Sequence, residues 1–184
     1  MSGVPAEPRS SDTGPRGAEA EPRSADAEAS RLTHVRADGT AHMVDVSAKA
    51  VTVRESSARG RVLLSPLAIA ALRDGNVPKG DALAVARLAG IQAAKKTPDL
   101  IPLAHPIAIH AVTVDVEVCD EAVEITATVR TADRTGIEME ALTAVSVAAL
   151  ALVDMIKAVD RHARITDIRV TAKSGGRSGD WREA

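Results

Sequence analysis

IAIHAVTVDVEV (107–118) and AVEITATVRTAD (122–133), joined by Cys119–Glu121, form the stretch on which the fold turns. Apolar and polar residues alternate along both arms with the period of two expected when successive side chains point to opposite faces. The short link makes them a β-hairpin with one wet face. The pattern then changes. GIEMEALTAVSVAALALVDMIKAVDR (136–161) reads as a long helix, apolar nearly all round in its middle, so it must be covered on more than one side. RITDIRVTAK (164–173) returns to strand, and a Gly-rich end, SGGRSGDW, follows.

Upstream of the hairpin, VTVRE (51–55) and RVLLS (61–65) read as two short strands. Ser65 with Pro66 behind it starts a helix, and ALRDGN ends that helix at Gly75. KGDALAVARLAGIQAAKK (79–96) is a second helix, with Asp81 near its start and Lys95 and Lys96 in its last turn, as the helix dipole prefers. DLIPLAHP (99–106) is a stiff loop, because Pro102 and Pro106 fix φ and donate no backbone hydrogen bond. Helices alternating with an antiparallel pair and a closing strand predict an α+β sandwich, the helices on one sheet face.

Composition narrows the function. The chain has 184 residues and is 45% hydrophobic, yet has no Phe, no Tyr and one Trp. Its core must be Ala, Val, Leu and Ile, which suits closely approaching helices and broad contacts between subunits. Few aromatic faces and a net charge of −2 argue against nucleic-acid binding. One cysteine, Cys119, excludes an intrachain disulfide or a cysteine-rich zinc site, and the five histidines lack paired ligand spacing, so no protein-held metal is expected. Residues 1–30 are rich in Pro, Ala, Glu and Arg and predict a disordered tail; residues 31–184 form a single domain, with structure beginning near Leu32. No targeting segment or bilayer span is read, which predicts a cytoplasmic protein without membrane partners.

Several side chains carry candidate chemistry. Asp154 and Lys157 interrupt the apolar stripe of the long helix at i, i+3 and meet on one face. That spacing fits an ordinary ion pair; amid Val153, Met155 and Ile156 it also fits a pair with perturbed proton affinities, suited to general acid–base work. Glu138 and Glu140 at the start of the helix stabilise a helix N-terminus or accept hydrogen bonds from a ligand. Glu140 and Asp154 lie roughly 21 Å apart at 1.5 Å per residue, too far to grip one atom from one chain. Either the ligand is long or a symmetric partner closes the gap. His105, Lys79, Lys95 and Lys173 are solvated or structural side chains, or together a match for a polyanion. SGGRSGD offers amides to phosphate but lacks the P-loop pattern.

Four blocks in order resemble the cyclic pyranopterin monophosphate synthase family of molybdenum cofactor biosynthesis: HMVDVSAKAVTVRES (42–56), KGDALAVARLAGIQAAKKTPDLIPLAHP (79–106), TGIEMEALTAVSVAALALVDMIKAVD (135–160) and AKSGGRSGD (172–180). The resemblance runs from about Leu32 to Asp180. It implies a ferredoxin-like α+β fold, a homohexamer built as a trimer of dimers with active sites between subunits, and a small-molecule substrate derived from GTP. The implied reaction converts (8S)-3′,8-cyclo-7,8-dihydroguanosine 5′-triphosphate to cyclic pyranopterin monophosphate and releases diphosphate. By the same resemblance Asp154 and Lys157 are catalytic, Lys157 the acid that then becomes base. Leu103, Ala104 and His105 form one substrate-binding segment, Met139 and Glu140 another, and Glu138, Lys79 and Lys173 are further pocket residues. No redox cofactor is implied; magnesium would travel with the triphosphate. Many relatives read LIPLCHP where this chain has Ala104, which argues against a thiol nucleophile.

Overall fold

The computed structural model describes residues 38–177 and 179–184. The tail expected over 1–30 and the start expected near Leu32 lie outside the described residues. The elements are β1 (Thr52–Leu63), α1 (Pro66–Arg73), α2 (Ala82–Ala94), α3 (Thr97–Leu100), β2 (Ile109–Val118), β3 (Ala122–Asp133), α4 (Glu138–Ile156), β4 (Arg164–Ser174) and β5 (Trp181–Arg182). The strands form one antiparallel sheet in the order β2-β3-β1-β4-β5. With α2 between β1 and β2 and α4 between β3 and β4, this is the ferredoxin-like α+β arrangement.

The two short strands read at 51–55 and 61–65 are one strand. Residues 56–60, SSARG, look like a break because Ser, Ala and Gly are poor strand formers. Here β1 is central and paired along its length with β3 and β4, and tertiary pairing overrides propensity. Gly60 serves packing: a Cβ there would stand 2.7 Å from Val145 Cγ1 and 3.0 Å from Ile168 Cγ1, so α4 settles directly on the strand.

Alternation along β1 and β3 separates two faces. Ala58, Val62, Val123, Ile125, Ala127 and Val129 are buried beneath the helices. The opposite face carries polar pairs set directly across the ladder: Arg61 with Glu124 at 2.6 Å, Arg130 with Glu55 at 3.3 Å, and Ser57 with Thr128 at 2.8 Å. The hairpin is wet on one side, as its sequence implies.

α4 rests on β1, β3 and β4, and α2 lies alongside it over β2. The aromatic-poor composition shows its consequence between these helices. Ala86, Ala141, Ala144 and Ala148 are fully buried, and a Cβ on Gly90 would come within 2.9 Å of the Ala144 carbonyl oxygen. α4 is long and apolar enough to cross a bilayer by length and composition, but over half of that window is buried in the core.

Helix ends are tighter than the sequence suggests. Asp81 caps α2, its carboxylate accepting from Ala84 N at 2.9 Å, so Lys79 and Gly80 precede the helix and Lys95 forms its C-cap. Ser65 caps α1, and Gly75 takes the left-handed φ of 68° that ends it. α4 stops at its C-cap Lys157, short of 161, and buried Asp160 then ties the helix exit to α1 by accepting from Ser65 N at 2.6 Å. The short α3 lies partly within the segment read as a loop.

Candidate active site

The first turn of α4 faces a cavity of about 510 Å³. Glu138, Met139 and Glu140 line one side, Leu103, Ala104 and His105 the second, and the extended segment holding Val44, Val46 and Lys49 the third. The two substrate-binding segments expected from sequence therefore converge, one from the loop after α3 and one from α4.

Glu140 is only 3% exposed, and burial pushes its carboxyl up to about 7. Its side chain also borders a smaller cavity, about 280 Å³, lined by Lys95, Lys96 and Asp99. His105 Nε2 lies 2.7 Å from the Val44 carbonyl oxygen. A carbonyl only accepts, so Nε2 carries the proton, and in the neutral ring Nδ1 is the acceptor. The prolines beside His105 limit how far this contact can drift.

A second cavity of about 260 Å³ shares Lys49, Thr135, Gly136, Glu138 and Arg177 with the first and adds Arg54, Glu55, Arg134 and Lys173. Five cationic side chains against Glu55 and Glu138 make it an anion site in character. Lys173 reaches Glu138 at 3.2 Å. Arg54 donates from Nε to the Asp133 carbonyl at 2.9 Å, and its guanidinium passes so close to Gly176, at φ 80°, that a Cβ there would collide with it. Within the stretch read as a weak phosphate cradle, Gly176 thus makes room for an arginine and Gly175 for the Val53 carbonyl.

Asp154, Lys157 and Lys79 lie elsewhere. At the last turn of α4, the two oxygens of Asp154 pair with Lys157 and Lys79, each at 2.7 Å. The expectation of an apolar setting fails: Asp154 and Lys157 are 57% and 58% exposed, and neither lines the cavity that holds His105. The Lys157 and Lys79 ammonium groups hold the Asp154 carboxyl down to about 2, so its proton affinity is perturbed by ion pairing and it is ionised at neutral pH. Within one chain Lys79 joins Asp154, Lys173 joins Glu138, and the lysine set does not converge with His105.

Lys49, Arg54, Arg134 and Arg177 were not singled out from sequence. Lys49 and Arg54 stand in HMVDVSAKAVTVRES, and Arg177 in SGGRSGD, but no local spacing unites them; the sheet brings them together.

In this ferredoxin-like domain, the cavity that holds Glu138, Glu140 and His105 shares lining residues with one that holds five cations. The profile of the MoaC family matches residues 43–176, and the chain belongs to that family. It is 66% identical over 153 residues to the cyclic pyranopterin monophosphate synthase of Streptomyces griseus, covering 83% of this chain and 86% of that protein. Synthases of the same name from Streptomyces coelicolor and Parvibaculum lavamentivorans are 65% and 55% identical, covering 82% and 84% of this chain and 89% and 98% of theirs.

Proposed function

We propose that this protein converts (8S)-3′,8-cyclo-7,8-dihydroguanosine 5′-triphosphate to cyclic pyranopterin monophosphate with release of diphosphate, a lyase step early in molybdenum cofactor biosynthesis. The observation that carries the reading is the joined pair of cavities at the N-terminus of α4. One presents Glu140 and His105 to a ring with both donors and acceptors, and the other presents five cations to phosphate. Its relatives are named for making cyclic pyranopterin monophosphate, a phosphorylated ring of that chemistry.

Diphosphate departure builds negative charge, which preplaced cations stabilise. Opening the imidazole portion and closing the pyrazine ring require proton transfers. Lys157 is assigned these, as acid and then base, with Asp154 orienting it as an ionised partner. Leu103, Ala104, Met139 and Glu138 shape the pocket, and Lys79 and Lys173 add charge. Ala104 leaves no thiol at its position.

Lys157 needs a route to the cavity, and the length of α4 denies it one within the chain. A second copy placing its Asp154–Lys157 end against this chain's Glu140 would complete the site. Leu67, Val85, Leu88 and Leu150, exposed on α1, α2 and α4, offer apolar surface to bury in such contacts. The assembly proposed is a homohexamer, a trimer of dimers with sites between subunits, in the cytoplasm. Any magnesium is proposed to enter on the triphosphate.

The test is incubation with the cyclised GTP derivative, with GTP and ATP in parallel. Formation of cyclic pyranopterin monophosphate with one diphosphate per turnover supports the proposal. Consumption of unmodified GTP or ATP would point to a nucleotide cyclase or phosphohydrolase.

A further inference from the structure

The cavity wall made by Val44, Val46 and Lys49 differs in kind from the walls made by α4 and the loop before β2. Residues 43–46 alternate in burial, with Val44 and Val46 half-buried toward the cavity and Met43 and Asp45 exposed, and 47–49 form a turn. Among the described residues they pair with no strand, and the backbone–backbone hydrogen bond within the segment is its own turn, Lys49 N to Val46 O at 3.0 Å. Among the described residues two side chains tie this backbone to the domain: His105 Nε2 donates to Val44 O at 2.7 Å, and Arg134 Nε donates to Lys49 O at 2.9 Å. Arg134 is itself braced, its backbone N–H bonded to the Asp133 carboxylate at 2.7 Å.

We propose that residues 43–49 are a movable strap closing the larger cavity, and that Arg134 is a positioning residue that fastens the strap and so sets where Lys49 stands in both cavities. A segment outside the sheet, held by few hydrogen bonds, opens more readily than the paired strands. Lifting it widens the mouth of the cavity that Leu103 and Met139 line, and closing it brings the Lys49 ammonium over the junction of the two cavities. The fastening works through the Lys49 carbonyl, not its side chain. Lysine at 134 would therefore keep the charge and lose the fixed Nε–H direction.

Trypsin cleavage after Lys49, followed by the appearance of a fragment beginning at Ala50, reads strap opening directly. Arg134→Lys and Arg134→Gln should both speed that cleavage about five- to tenfold, the loss of roughly one hydrogen bond, while global unfolding midpoints stay near wild type. Cleavage at the wild-type rate in both variants would overturn the proposal, since neither retains the bond. The second readout rests on the proposed function. KM for the cyclised substrate should rise in Arg134→Lys and in Lys49→Ala, and the double variant should be no worse than the worse single one. Additive losses would mean that Arg134 acts by its own charge, against the positioning role. A wild-type protein inert toward that substrate would sink the functional reading and leave the trypsin comparison to decide the strap.

Discussion

Asp154 gives one carboxylate oxygen to Lys157, 2.7 Å away and one turn further along α4, and the other to Lys79, 2.7 Å away from the turn before α2. The three charges form an exposed cluster with its own internal order. Surface pairs of this kind add little to stability, so replacing either partner should leave the fold intact.

Asp154→Asn and Lys157→Ala are therefore expected to fold and assemble like wild type, with thermal midpoints little changed. Either is expected to lower turnover by at least about 10²-fold, the usual scale for a lost proton-transfer group. Circular dichroism, size-exclusion chromatography and steady-state kinetics on the same preparations check this. Near wild-type turnover in both would remove the catalytic assignment.

Glu140 gives the protein a pH-dependent stability of defined sign. Its carboxyl sits at about 7 when folded, against an ordinary 4.5. Between those values the unfolded chain releases the proton and the folded chain retains it, so this contribution to stability falls as pH rises from about 4.5 to about 7 and levels off above. Glu140→Gln removes that part of the slope. Urea midpoints taken across this range, wild type against variant, measure the difference.

Gly90→Ala tests the alanine-lined contact of α2 and α4. In an open helix this change is favourable, because glycine has the lower helix propensity. Here the added methyl meets the Ala144 carbonyl oxygen at 2.9 Å and the Ala148 Cβ at 3.2 Å, and the helices must move apart. The expected outcome is a loss of about 1–3 kcal/mol by chemical denaturation. A gain would show that the helices stand further apart.

The hairpin and α4 were legible because their periodicities are local and long. β1 was not legible as one strand, because Ser56–Gly60 becomes strand only through partners on both sides. α3 and β5 are too short to leave a periodic signal. In the site, the residues of LIPLAHP and IEMEAL are expected from the family resemblance, and the fold sets both stretches against one cavity. Lys49, Arg54, Arg134 and Arg177 were missed because they meet only through the sheet. The Asp154–Lys157 pair was found, but its surroundings were misjudged. Apolar neighbours in sequence point to other sides of a helix, and Asp154 itself turns outward.

A site shared between chains is tested most directly by mixing. Asp154→Asn and Glu140→Gln chains, each first assayed alone for loss of turnover, are co-expressed with different tags, and mixed assemblies are isolated and assayed. If each site takes Glu140 from one chain and Asp154 from another, random pairing leaves roughly a quarter of the sites intact and activity returns to about that fraction of wild type. Mixed assemblies as inactive as either parent would contradict the account.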